Sequence, residues 1–179
     1  SLSVNDRDEA AAASLVEAGA VWAASPKEVA AASDTVFTCL PSPKVVEDVL
    51  CGDEGVLEGL AAGGTWIDSS TNDRHELLRL AEVAAALGVR TLEAPVTGGV
   101  HLAASGQITV LVGGDADVFA EHLPAFEAIG GKVFYIGPLG KASVIKVITN
   151  MLAFIHLVAA GEALMLAKRG GLDLAQSFE

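Results

Sequence analysis

Basic residues are scarce in this chain. Eleven Lys and Arg stand against 23 Asp and Glu, a formal charge of −12, and the few cations are scattered rather than gathered into a stripe. Phosphate backbones are held by clustered basic surface, so nucleic acid is excluded as a partner, and the acidic balance is read as a solubility device. Cysteine is nearly absent: Cys39 and Cys51 cannot build a disulfide framework. The four histidines, at 75, 101, 122 and 156, are far apart and fall in no metal-ligand spacing, so no metal is expected and a reducing, cytoplasmic setting is. Cys39, inside the apolar run Val36 to Leu40, is expected to be a small core residue. Long hydrophobic runs are missing too. Ser1 to Arg7 does not read as a secretory leader, and Met151 to Gly161 is too short to span a bilayer and carries His156; no membrane partner is expected.

What is present is a rhythm. Half the residues are apolar, alanine and glycine are abundant and aromatics few, the composition of a packed α/β protein rather than a disordered one. The length suits one full-sized domain plus part of another. Strand-like runs at Leu2 to Val4, Val21 to Ala23, Thr35 to Leu40, Gly64 to Asp68, Arg90 to Ala94, Ile108 to Val112 and Lys132 to Ile136 alternate with helical segments. Ser25-Pro26 supplies an N-cap followed by proline at the first helical position, and a second capped helix follows from Pro43. Asp73 to Leu87 is amphipathic, and Gly140 opens an apolar helix of about thirty residues that ends near Gly170-Gly171. Such alternation with short links predicts a doubly wound, mainly parallel sheet. Trp22 and Trp66 are expected in its core.

One element of a dinucleotide fold is missing. No G-x-G-x-x-G follows any strand, and the chain opens in what reads as a second strand. A first βα unit of about 25–30 residues is therefore expected upstream. At the other end, a helix apolar on most faces must be buried by something. The expectation is an incomplete dinucleotide-binding domain over residues 1–139, and over 140–179 a long helix leading into an all-helical domain that is mostly absent.

In an open α/β sheet, ligands gather at the carboxyl ends of the strands. Those ends carry Asn5 to Arg7, Leu40 to Pro43, Asp68 to Thr71 and Pro95 to Gly99. An acidic Asp6 suits the ribose hydroxyl of NAD, whereas Arg7 tolerates the extra phosphate of NADP. In Glu93-Ala-Pro-Val-Thr-Gly-Gly99 a strand breaks at proline and runs into paired glycines, whose backbone N–H groups can hold an anion. Further on, Lys146 and Asn150 lie one turn apart on one helix face. A lysine among Val144, Ile145, Val147 and Ile148 could simply snorkel to solvent. The neighbouring Asn150 and the glycine loop point instead to a desolvated proton shuttle. Lys146 would be general base in oxidation and general acid in reduction. Asn150 would orient the substrate oxygens, and Thr97, Gly98 and Gly99 would bind a carboxylate. His101 reads as a solvated loop residue. His156, about 15 Å farther along the helix, reads as a polar residue satisfied at a helix contact.

These pieces together resemble the β-hydroxyacid dehydrogenase family, the 3-hydroxyisobutyrate dehydrogenase and tartronate-semialdehyde reductase relatives. The resemblance rests on Asp68-Ser-Ser-Thr71, Leu40-Pro41, Ala94-Pro-Val-Thr-Gly-Gly99 and Gly137-Pro-Leu-Gly140 followed by Lys146 and Asn150. It implies a Rossmann-like domain joined to a long interdomain helix, cofactor contacts from Leu40, Pro41 and Thr71, and Lys146 as the catalytic residue. By the same resemblance NAD or NADP is the cofactor, a small carboxylate the substrate, and a homodimer or tetramer the assembly. Three residues depart from the family pattern: Ala142 and Leu102 stand where glycines are usual, and Thr149 replaces the first of two asparagines. Two alternatives share the fold: an imine reductase, in whose relatives the lysine position typically carries another residue, and a non-catalytic cofactor- or protein-binding module.

Overall fold

The computed structural model describes residues 1–178. Two very short parallel strands, β1 (Ser3–Val4) and β2 (Val21–Trp22), pair with each other in a two-stranded sheet. Between them run a 3-10 turn, Glu9–Ala12, and helix α1 (Ala13–Glu17). The sequence pattern placed these strands in one sheet with the rest; instead they share no ladder with it.

The main sheet has six strands. Helix α2 (Pro26–Ala31) leads to β3 (Thr35–Thr38), α3 (Pro43–Cys51) to β4 (Thr65–Asp68), and α4 (Arg74–Ala86) to β5 (Arg90–Glu93). The β3–β4 and β4–β5 pairings are parallel. The chain then bends at Ala94-Pro95 into β6 (Val96–Thr97) and turns through α5 (Val100–Ala104). It returns as β7 (Ile108–Gly114), which pairs antiparallel with both β5 and β6. Helix α6 (Ala116–Ile129) carries the chain to β8 (Gly130–Gly137), parallel to β7 on its other edge. The sheet is thus mainly parallel, with β7 reversed against β5. β6 and α5 did not stand out in the sequence; both are too short to show a period.

Side chains alternate across the sheet, and the two faces hold two cores. Trp66 and Val36 join Val46, Leu50, Leu77 and Leu80 of α3 and α4 on one face. Ile67, Leu92, Val110 and Val112 meet Phe126 of α6 on the other. Helices on both faces are what double winding predicts. The caps fall where the sequence put them: the hydroxyls of Ser25 and Ser42 accept from the N–H groups of Glu28 and Val45, each before a proline. Two core assignments change. β3 ends at Thr38, which leaves Cys39 exposed rather than in a strand interior, and Trp22 is half-buried while Trp66 is fully enclosed.

Helix α7 (Lys141–Arg169) leaves the sheet, followed by α8 (Leu174–Phe178). Its first turns pack on β6, β7 and β8, and its buried residues are Ala142, Ser143 and Lys146. Beyond Asn150 the apolar side chains stand open: Phe154 is 66 % exposed and Leu157 69 %. His156 is exposed there as well, not at a helix contact. By length and composition alone α7 would suffice to cross a membrane. The eleven-residue run considered in the sequence understated it, because the apolar stretch continues on both sides of the run.

Candidate functional site

The carboxyl ends of β3, β4 and β5 are held by a buried polar network. At the end of β4, Asp68 (1 % exposed) accepts from the Thr38 hydroxyl at 3.0 Å, from the Ser70 N–H at 3.1 Å and from Asn72 Nδ2 at 3.0 Å. Trp66 Nε1 donates to Thr38 Oγ1 at 3.0 Å, tying the core beneath to the same group. The Leu40 N–H donates to Ser70 Oγ at 2.9 Å, which locks the loop after β3 onto the loop after β4. Leu40, Pro41 and Thr71 are therefore neighbours on one rim, with Pro41 and Thr71 exposed. Asp6 and Arg7 stand exposed at the end of β1, on the separate small sheet. Asp6 accepts from the Asp8 N–H at 3.0 Å, and Asn5 Nδ2 donates to Ala23 O at 2.9 Å.

Next along the rim, β5 ends in Glu93, register partner of Asp68 and 1 % exposed. Its carboxyl group reaches the first turn of α7. Oε1 accepts from the Ala142 N–H at 2.9 Å; Oε2 accepts from the Ser143 N–H at 2.8 Å and from the Ser143 hydroxyl. Helix starts leave N–H groups without intrahelical partners, and Gly140, in left-handed conformation, has no side chain to cap them. Glu93 does it instead. Glu93 is not among the candidate residues that the sequence pattern singles out; a carboxylate closing an apolar strand is its one local mark.

One turn beyond Ser143, Lys146 is 8 % exposed. Burial lowers its pKa below the ordinary lysine range, and no neighbouring carboxylate counters that shift. Asn150 follows half-buried on the same face. Thr149 uses its hydroxyl on its own helix, donating to Lys146 O at 2.8 Å. The opposing wall is β6 with half-buried Thr97, then Gly98 and Gly99 at φ 131° and 84°, backbone that disfavours any side chain. Leu102 lies against Gly98, where an added Cβ would come within 2.8 Å of its Cδ1, and packs on the second core. Since α7 packs on β6 through its buried first turns, the glycine loop and the lysine face belong to one locale. His101 is exposed beside it.

Two hollows, about 430 and 950 Å³, lie elsewhere. The first is lined at the amino ends of β3 to β5 by Asp34, Gly64 and Arg90, the second between α4 and α6. Neither includes Lys146, and the amino ends are not where open α/β sheets bind ligands. No cluster of metal-ligating side chains occurs among the described residues.

The NAD-binding domain family of 6-phosphogluconate dehydrogenase matches residues 1–137, and the NAD-binding family of NADP-dependent 3-hydroxyisobutyrate dehydrogenase matches residues 140–179. This chain belongs to the 6-phosphogluconate dehydrogenase NAD-binding domain family. Within it, mouse mitochondrial 3-hydroxyisobutyrate dehydrogenase is 40 % identical over 157 residues, 88 % of this chain and 47 % of the mouse protein. The structure of Mycobacterium tuberculosis 3-hydroxyisobutyrate dehydrogenase with L-serine superposes with TM-score 0.84 at 32 % identity, covering 94 % of this chain and 57 % of that one. An imine reductase from Myxococcus stipitatus with NAD+ reaches TM-score 0.85 at 19 % identity, over 97 % and 59 % of the two chains, a likeness of fold alone. The chain spans about half the length of the curated relatives it matches. The resemblance to β-hydroxyacid dehydrogenases read from the motifs is borne out, and a nicotinamide dinucleotide is the cofactor of the family.

The chain carries groups of the kind a dinucleotide takes: the acid Asp6 and the cation Arg7 on the small sheet, and the apolar and hydroxyl groups of Leu40, Pro41 and Thr71 past the ends of β3 and β4. Just past β4, next to the latter groups, the buried Ser69 Oγ has no partner among the described residues, and a buried hydroxyl ordinarily has one.

Proposed function

We propose that the chain is the cofactor-binding part and catalytic helix of an NAD(P)-dependent dehydrogenase of small β-hydroxyacids or their semialdehydes. Its support is the buried, cation-disfavouring position of Lys146 beside the Thr97 to Gly99 loop. Bound NAD(P) supplies the hydride acceptor or donor. The roles that follow are those of this chain's own side chains and backbone.

Asp6 and Arg7 would hold the adenosine ribose of the cofactor, and Leu40, Pro41 and Thr71 would contact it from the ends of β3 and β4. The Thr97 hydroxyl and the N–H groups of Gly98 and Gly99 take the substrate carboxylate, fixing the hydroxyl-bearing carbon relative to α7. Lys146, as a neutral amine, accepts the hydroxyl proton during oxidation and as an ammonium returns it during reduction. Desolvation brings the two forms closer in energy, which is what a two-way proton carrier needs. Asn150 orients the substrate oxygen toward the Lys146 amine. The intact enzyme is further proposed to be a cytoplasmic homo-oligomer, its assembly supported by the open apolar side chains of α7 and its location by the scarcity of cysteine.

The test is Lys146→Ala in the purified natural polypeptide, with 3-hydroxyisobutyrate and L-serine as probes. General acid–base catalysis is worth about 10²- to 10⁴-fold, so kcat falls by that order while NADH binding, followed by fluorescence titration, persists. Normal turnover by the alanine variant would sink the proposal.

A further inference from the structure

The reaction reading assigns no task to Glu93, yet it is among the most enclosed polar side chains in the chain. All of its contacts with α7 fall on the turn that precedes Lys146: two backbone N–H groups and one hydroxyl, from Ala142 and Ser143. Opposite it in the ladder is Gly113, where an added Cβ would lie 2.4 Å from Glu93 Oε1. Glycine there leaves the space the carboxyl group occupies. Lys146 stands three residues after Ser143, on the same helix face. A rotation or slide of the first turn is therefore transmitted directly to the lysine.

We propose that Glu93 is a positioning residue for Lys146. By clamping the start of α7 to the end of β5, it fixes the rotation and height of the helix over the β6 loop. It keeps the lysine amine in its desolvated place without touching it. The proposal rests on the reading of Lys146 as proton carrier, but its geometric content stands apart from any reaction. A helix start can be held by any suitable acceptor. This acceptor comes from the strand whose continuation carries Thr97 and the paired glycines, so one contact sets the spacing between the substrate loop and the lysine.

The experiment compares wild type, Glu93→Gln, Glu93→Asp and Ser143→Ala in the natural polypeptide. Steady-state kinetics use 3-hydroxyisobutyrate and L-serine as probes. Acetylation of Lys146 by acetic anhydride, relative to exposed Lys141 on the same helix, is read by mass spectrometry, and amide exchange of Ala142 and Ser143 by NMR. Gln keeps the shape but turns a donor toward an N–H group. The expected result for Glu93→Gln is a kcat loss of about 10- to 100-fold, the scale of a small misplacement of a catalytic group, with KM near wild type. Glu93→Asp recovers part of that loss, and the Lys146 to Lys141 acetylation ratio rises as the lysine loosens. A rise in KM with kcat unchanged, or an unchanged acetylation ratio, overturns the proposal.

If wild type turns over neither probe, the reaction reading has failed by itself. The acetylation ratio and the exchange of the two amides then decide the positioning role: a raised ratio with faster exchange supports it, and no change refutes it. If Glu93→Gln does not fold, Ser143→Ala, which removes one of the three donors, must show the same shifts in smaller measure, and their absence refutes the clamp.

Discussion

Replacing Gly113 by alanine gives a sharp test of how the strand ends are packed. Gly113 is not among the glycines in left-handed conformation, so its backbone accepts alanine without strain. The obstacle is Glu93: the new methyl would lie 2.4 Å from Oε1, 3.0 Å from Cγ and 3.1 Å from Cδ. A flexible side chain usually swings away from such an intrusion at little cost. This one is buried and tied to two N–H groups and a hydroxyl, so swinging away abandons all three. A hydrogen bond involving a charged group contributes about 1.5–3 kcal/mol; with part of each recovered in the relaxed structure, a net loss of about 3 kcal/mol is expected. For a chain of this size about 2–4 °C of Tm accompanies each kcal/mol, so Tm should fall by roughly 6–12 °C. Thermal unfolding followed by far-UV circular dichroism measures the Tm shift, and urea unfolding the free energy. The decisive comparison is with Glu93→Ala and the double variant. Once the carboxyl group is gone the added methyl has nothing to displace, so the two changes must be strongly non-additive. A Gly113→Ala cost under about 1 kcal/mol, the everyday scale for a point change, or simple additivity with Glu93→Ala, would refute the reasoning.

Lys146→Met should stabilise the protein at pH 7. The folded-state pKa of Lys146 is depressed below the ordinary 10.5, so the folded chain is penalised for its charge. That penalty is complete below the folded pKa and fades as pH rises through it toward the unfolded value. The gain from methionine should shrink over the same interval in a pH series of urea melts; a loss at pH 7, or a gain independent of pH, would contradict the burial argument. Phe126→Ala should cost about 3–5 kcal/mol, because the ring is fully enclosed in the second core and meets Phe37 edge-on and Phe119 in a stack; a cost near 1 kcal/mol in the same melts would mean that core collapses around the gap.

The sequence made visible what is local. Ser-Pro caps at 25–26 and 42–43, the leucines of α4 and the glycines at 98, 99 and 140 act within a few residues of themselves, and each lies where the pattern placed it. Lys146 and Asn150 stood out because helical spacing is a local property as well. The features that escaped are those decided at a distance. Cys39 looked like core because it lies inside an apolar run, but β4 pairs with β3 only as far as Thr38, and Cys39 stands exposed just past that ladder. The reversal of β7 against β5 follows from the bend at Ala94-Pro95, which lays β5 and β6 along one edge of the same strand. Glu93 gave no periodic signal, since its partners are 49 and 50 residues away. The length of α7 was legible, but the first turns alone are covered and the rest is exposed, a division no hydropathy pattern contains.

The span between Glu93 and the start of α7 also matters to the helix itself. Closing a loop of that length carries an entropic cost that only later contacts repay, and β7, α6 and β8 all lie within it. The start of α7 is thus held by a contact that its own stretch of chain cannot supply. The altered acidity of Lys146 comes from burial against the folded sheet. A peptide of α7 alone would carry Lys146 as a hydrated, fully charged side chain, with every residue of the helix and none of its chemistry.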